Sequence, residues 1–261
     1  MNEDSLGDRM KSYEDVFRQV LPNQLPVILR VDGRAFHSYT RGCEKPFDRS
    51  LMEAMDQVAL DLCSEINNAV MAYVQSDEIS VLVVQKSKDS QPWFGGNLQK
   101  MCSVAASKAA VRMTMESPNV FPVSEADFSS GTADVFREAC FDARAFVLPP
   151  HEVQNYFVWR QQDWVRNSIS MLTRAHYSHK EMDGKSQSDM HEMLYQKNVN
   201  WADLSPDLKN GRVVVKREVP IQIPAGPKRG EIVTRSKWGV EFAPIFTANR
   251  NFIEQLMWRD A

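Results

Sequence analysis

Between Pro26 and Val147 the apolar residues switch repeatedly between two periods, and the order of those periods constrains the fold more than any other feature. Pro26-Val27-Ile28-Leu29-Arg30-Val31-Asp32-Gly33 is a short β-branched run closed by a turn pair, the pattern of a mostly buried strand. A loop through Cys43 and Pro46 follows. Ser50-Leu51-Met52-Glu53 then has capping-box spacing, and Leu51, Met55, Val58, Ala59 and Leu62 recur at helical period up to a turn at Asn67-Asn68. Ala69 to Val74 and Ile79 to Val84 are two apolar runs separated by Gln75-Ser76-Asp77-Glu78, which predicts a hairpin. Beyond Gly95-Gly96, Leu98, Met101, Ala105 and Val111 predict a second amphipathic helix from Asn97 to Met115. After a polar connector around Ser129-Ser130-Gly131, Phe141 to Val147 predicts another strand.

The order is therefore βαββαβ, an α+β fold of the ferredoxin-like type. A right-handed crossover makes the first two strands parallel, and the third fits between them. Asp32, at the end of the first strand, and Asp77, in the hairpin after the second, are then expected at one sheet edge. Past Pro149-Pro150, Val153, Tyr156, Phe157, Trp164, Ser168 and Met171 form one stripe of a long helix. Residues 178–210 are polar and read as loop with short helices, Arg212 to Val219 as a further strand, and Pro220 to Gly230 as a turn. We divide the chain into residues 1–149 and a mostly helical extension, 150–261, packed on the sheet.

Composition narrows the function classes. No apolar run approaches the ~18 residues a membrane span needs, and the N-terminus carries acids rather than a signal-peptide core. The four cysteines include no CxxC pair, which argues against a zinc ribbon and for reduced thiols in a cytoplasmic protein. With a formal net charge of −3, any nucleic-acid contact must come from locally placed cations.

Two aspartates meeting at a sheet edge suit Mg²⁺, which binds one or two carboxylates and completes its shell with water and substrate phosphate. A pair of such ions activates an attacking oxygen and stabilises a leaving pyrophosphate. Gly33 allows the backbone to approach metal or phosphate. Asp-Gly and Ser-Asp-Glu are equally turn sequences, so spacing alone leaves both readings open.

Arg30-Val31-Asp32-Gly33-Arg34-Ala35-Phe36-His37, Glu44-Lys45-Pro46-Phe47-Asp48 and Tyr73-Val74-Gln75-Ser76-Asp77-Glu78 closely resemble the tRNA(His) guanylyltransferase family. Asn97 to Ser107, Phe141-Asp142-Ala143-Arg144 and Trp159-Arg160-Gln161 through Asp163 extend the likeness across residues 22–215. The resemblance implies a polymerase-palm-type catalytic domain over residues 1–149. It implies two Mg²⁺ ions on Asp32, Asp77 and the Gly33 backbone, with Glu78 assisting. It also implies a nucleoside triphosphate held by Asp32 to His37 (Gly33, Arg34, Ala35 and Phe36 between), Lys45, Asp48, Ser76, Asp77 and Lys100.

The implied chemistry is 3′-to-5′ nucleotide addition to tRNA with ATP and GTP or other triphosphates as substrates, by a homotetramer built as a dimer of dimers. Arg160, Asn167 and Lys209 are candidate RNA contacts. Eukaryotic members carry His-Ile-Asn-Asn after the Trp-Arg-Gln segment, whereas this chain has Val165-Arg166-Asn167-Ser168. That departure favours the Thg1-like branch, which repairs truncated 5′ ends against a template, over strict addition of the −1 guanosine to tRNA(His). A palm-type nucleotide cyclase and a non-catalytic RNA-binding protein are the alternatives from other classes.

Overall fold

The computed structural model describes residues 5–122, 135–222 and 230–258. Among these, the elements are α1 (Leu6–Asp15), β1 (Val27–Gly33), α2 (Phe36–Tyr39), α3 (Arg49–Glu65), β2 (Ala69–Gln75), β3 (Glu78–Val83), α4 (Leu98–Val120) and β4 (Phe141–Val147). They continue with α5 (Pro150–Arg174), α6 (His179–Met182), α7 (Gln187–Tyr195), α8 (Pro206–Asn210), β5 (Arg212–Gln222), β6 (Ile232–Phe242) and α9 (Asn251–Trp258). The strand order β4-β1-β3-β2-β5-β6 places β3 between β1 and β2 and antiparallel to both, so β1 and β2 are parallel as expected.

Each sheet face has its own core. Leu29, Val31, Val74, Ile79 and Val81 pack against the buried stripes of α3 (Met55, Val58, Leu62) and α4 (Met101, Ala105, Met113). Ile28, Met71, Tyr73 and Leu82 face the other way, onto Val153, Tyr156 and Phe157 of α5 and Ile253 of α9. Burying each large side chain contributes about 1.5–3 kcal/mol, so the two layers hold the strands in one register.

Several elements differ from the sequence reading. The cap of α3 is Asp48 rather than Ser50: its carboxylate accepts from the amides of Leu51 (2.9 Å) and Glu44 (2.8 Å) and starts the helix early. The hairpin loop is the two residues Ser76-Asp77, because Gln75 and Glu78 pair across the ladder. Pro220 to Gln222 belong to β5 and Gly230 to a turn, and the rest of the predicted Pro/Gly loop lies outside the described residues, as does the connector at 129–131. The extension is less purely helical than expected. Its β5 and β6 pair over eleven residues each and join the sheet beside β2, so one sheet runs through both halves. Helix α1 was not foreseen either, and none of its residues is buried.

Candidate functional site

The edge where β1 ends and β2 turns into β3 collects the acidic residues. Asp32 lies opposite Glu78 on β3 and opposite Asp142 on β4. The amide of Gly33 donates to the Asp77 carbonyl at 3.0 Å, which ties the end of β1 to the Ser76-Asp77 turn. A Cβ at Gly33 would stand 2.4 Å from the Phe36 ring, so a side chain there would force the ring or the strand end to shift. Beyond Gly33 the Arg34 amide donates to the Cys140 carbonyl at 2.8 Å, and Ala35 adopts a left-handed backbone (φ 55°) that turns the chain into α2.

The two aspartates are electrostatically uncomfortable. Burial pushes the Asp77 carboxyl above the ordinary range, opposed by a hydrogen bond from Ser76, and the charge of Asp32 adds to the rise. Burial also raises Asp32, as does Asp142, while Arg144, Arg30 and Arg160 pull it back. Among the described residues neither aspartate is in a salt bridge, whereas Glu78, next to Asp77, has one. Two carboxylates in a partly desolvated site without a paired cation fit a hard divalent ion. No three His, Cys, Asp or Glu side chains converge as a metal cluster among the described residues, so phosphate and water would supply the remaining ligands.

Glu78 is only 8% exposed, and its carboxylate is taken by Arg160 of α5, whose Nε and Nη2 each donate at 2.8 Å. Gln75 Nε2 adds a third donor at 3.1 Å. Burial raises the Glu78 carboxyl and the Arg160 guanidinium offsets part of that rise. The carboxylate is therefore held in a clamp by donors from α5 and β2.

Arg160 is held by the same contacts. At 7% exposure, bonded to Glu78 and Asp163 and covered by the Trp159 ring 4.4 Å away, it has no surface to offer RNA. Gln161 is fixed just as firmly, donating to the carbonyls of Asn210 (3.0 Å) and Pro244 (2.9 Å) and accepting from the Phe246 amide (2.8 Å). The other half of the Trp-Arg-Gln segment is open: Trp159 is 49% exposed, with Arg30 5.8 Å from its ring.

The remaining candidates divide. Arg34, Ala35, His37 and Ser76 are exposed along the edge, and Lys45 is exposed on the loop that precedes α3. That loop docks on α5, where the Phe47 and Trp164 rings are 6.3 Å apart. Phe36 instead belongs to the core, against Tyr39 (4.8 Å) and Phe141 (5.0 Å). Asp48 spends both carboxylate oxygens on backbone amides. Lys100 sits in the first turn of α4, next to Met101, which lines a small cavity with Val27 and Val83. Those residues mark the opposite sheet end, since Val27 precedes Asp32 by five strand residues or ~17 Å. Within one chain the fold does not bring Lys100 to the aspartates. Asn167 is exposed on α5, and Lys209 donates to the Ala202 carbonyl and lies over Trp201.

Arg30, Asp142 and Arg144 join the edge although they were not singled out as site residues. Arg30 faces Arg144 across the ladder, and Arg144 donates to Asp142 at 2.9 Å. The signal was present in the alternation: Arg30/Asp32 and Asp142/Arg144 put charge at every second residue of strands whose other positions are mostly apolar.

Comparison with known proteins places the chain among relatives of one family. A family model described as tRNAHis guanylyltransferase (Thg1) matches residues 7–149. A solved structure of a bacterial tRNA(His) guanylyltransferase (Thg1)-like protein in complex with ATP superposes with TM-score 0.83 at 39% identity, covering 98% of this chain and 100% of that one. A bacterial Thg1-like protein in complex with GTP gives TM-score 0.79 at 38% identity, again over 98% and 100%. The tRNA(His) guanylyltransferase of Debaryomyces hansenii is 28% identical over 204 residues, 73% of each chain.

Proposed function

The chain belongs to the tRNA(His) guanylyltransferase (Thg1) family and is a nucleotidyltransferase, and from that premise we propose that it adds nucleotides in the 3′-to-5′ direction to the 5′ end of tRNA. The observation that carries the reading is the pair Asp32 and Asp77, partly desolvated, without salt-bridge partners among the described residues and joined through the Gly33 amide. These carboxylates, with the Gly33 backbone, would hold Mg²⁺, which when bound polarises a phosphoryl oxygen and lowers the pKa of the attacking oxygen. ATP and GTP as substrates are supported by the solved bacterial Thg1-like complexes.

This chain's residues contribute alignment and charge rather than a covalent nucleophile. In the activating step an oxygen of the tRNA 5′-monophosphate attacks the α-phosphorus of ATP and pyrophosphate leaves. In the second, the 3′-hydroxyl of an incoming triphosphate attacks the activated 5′ phosphorus, its proton passes to solvent, and AMP leaves. Arg30 and Arg144 flank Asp32 on the same face, where they would meet phosphate. Arg34, His37, Lys45 and Ser76 line the exposed edge for the nucleotide.

Repair of truncated 5′ ends against a template is the finer reading, and Val165-Arg166-Asn167-Ser168 in place of the eukaryotic signature supports it over tRNA(His)-only addition. A homotetramer would give the exposed apolar residues Leu6, Met10, Tyr13 and Phe17 on and after α1 something to pack against. The deciding assay offers tRNA lacking its first nucleotide, tRNA(His) lacking the −1 guanosine, and no RNA, each with ATP, GTP, CTP, UTP and Mg²⁺. Template-matched 5′ extension of the truncated tRNA is the expected product. Extension of tRNA(His) alone would restrict the enzyme to guanylyl addition, and cyclic nucleotide formed without RNA would overturn the assignment.

A further inference from the structure

Resting on the metal site read above, we propose that Arg160 is a positioning residue for that site: it keeps Glu78 out of the metal's ligand set and so fixes the turn that carries Asp77. The hairpin loop is only Ser76-Asp77, so the residue Arg160 grips is covalently next to Asp77 and in register with Asp32. The grip is bidentate, with Nε and Nη2 at 2.8 Å from the two Glu78 oxygens, the geometry in which arginine gives direction as well as charge. Gln75 Nε2 at 3.1 Å and Ser80 Oγ at 3.4 Å approach the same Glu78 oxygen that Nε holds. Of a carboxylate's about four acceptor sites, three contacts crowd Oε1 and one holds Oε2, so the group is anchored at both oxygens. Glu78 cannot turn toward a metal without abandoning buried donors.

The anchor for this grip lies in the C-terminal half of the chain. Gln161, the next residue on α5, is bonded to three backbone groups of the 210 and 244–246 segments, and Asp163 holds Arg160 Nη2 at 2.9 Å. The guanidinium is thus fixed before any ligand arrives. Acidic side chains elsewhere are arranged differently: Asp32 and Asp77 have no such clamp among the described residues, as expected if their partner is a cation from solution.

The test is Mn²⁺ binding, followed by electron paramagnetic resonance in the presence of a non-hydrolysable ATP analogue, on wild type, Arg160→Met, Arg160→Lys, Glu78→Gln and the Arg160→Met/Glu78→Gln double variant. Arg160→Met is expected to weaken Mn²⁺ about tenfold and Arg160→Lys by less, since lysine keeps the charge and loses the fork. Glu78→Gln should weaken it to a similar degree, and the double variant should be no worse than Arg160→Met alone, because both remove one interaction. If Arg160→Met does not fold, Arg160→Lys decides the matter, with its thermal unfolding midpoint as control. Unchanged Mn²⁺ affinity in both arginine variants overturns the proposal, as does loss of Mn²⁺ in Glu78→Gln alone, which would make Glu78 a ligand. Failure of the wild type to bind Mn²⁺ removes the metal reading itself, whereas wild-type binding with unaffected arginine variants removes only the positioning role.

Discussion

On the face of β1 that meets α3 and α4, Leu29 and Val31 are fully buried among apolar side chains, while on the opposite face Ile28 is followed by Arg30 and Asp32. β3 repeats the contrast, with Ile79 and Val81 on one side and Glu78 and Ser80 on the other. The first face is a core whose members are interchangeable within limits of volume. The second is apolar only at the end where β1 begins and becomes a charged edge toward Gly33, because α5 there offers Arg160 and Tyr156 instead of aliphatic side chains. One alternation therefore yields an apolar core on one face and, toward Gly33, a charged edge on the other, and under the proposed function that edge should tolerate substitution least.

The largest effect expected is on turnover. Asp32→Asn and Asp77→Asn should each reduce 5′ nucleotide addition by about a thousandfold or more, since each removes a charge used in the transition state. The same variants should not destabilise the fold. Both carboxyls are raised above 3.8 in the folded chain, so the folded state favours their protonated forms. Their favourable contribution is complete below the unfolded value near 3.8 and is lost as pH rises through the raised folded values. Denaturant titrations in EDTA should show each asparagine variant matching wild type at about pH 3.5 and exceeding it increasingly above that. Equal stability across the range would contradict the burial of these charges.

Next in size is the clamp. Arg160→Met leaves Glu78 buried without its cation and should cost about 3–5 kcal/mol of unfolding free energy, read from the same titrations. Gly33→Ala forces a methyl into the Phe36 ring and should cost about 1–3 kcal/mol while lowering activity, because the end of β1 must move. The smallest effect belongs to the far side of the sheet. Arg217 and Glu241 on the β5–β6 hairpin form an equally bidentate pair (2.7 and 2.8 Å), yet their side chains are 40% and 39% exposed. Arg217→Met should change stability by less than about 1 kcal/mol. A similar loss from Arg217→Met and Arg160→Met would mean that burial does not separate the two pairs.

The palm was legible because its signals are local and periodic. Apolar alternation located β1 to β4, helical spacing located α3 and α4, and the crossover rule then placed Asp32 and Asp77 at one edge. The parts that were not legible depend on contacts distant in sequence. Glu78 and Arg160 are 82 positions apart and read separately as an acid in a turn and an arginine on a helix. Asp48 looks like a free carboxylate until the amides of Glu44 and Leu51 fold onto it. Lys100 has the helix-start position of a phosphate ligand, but α4 begins at the sheet end opposite the aspartates. β6 escaped because its burial pattern alternates only weakly, most of its residues being exposed on a hairpin arm.

The central claim is that Asp32 and Asp77 form the divalent-metal pair while Asp142, opposite Asp32 and bonded to Arg144, lies outside it. Its most direct test is single-turnover 5′ extension of a truncated tRNA as a function of Mg²⁺ concentration for Asp32→Asn, Asp77→Asn and Asp142→Asn. If the pair is assigned correctly, the first two lose extension at every Mg²⁺ concentration and Asp142→Asn keeps it within about fivefold, a difference of ~1 kcal/mol in barrier. Extension that survives in Asp77→Asn, or that vanishes only in Asp142→Asn, would contradict it.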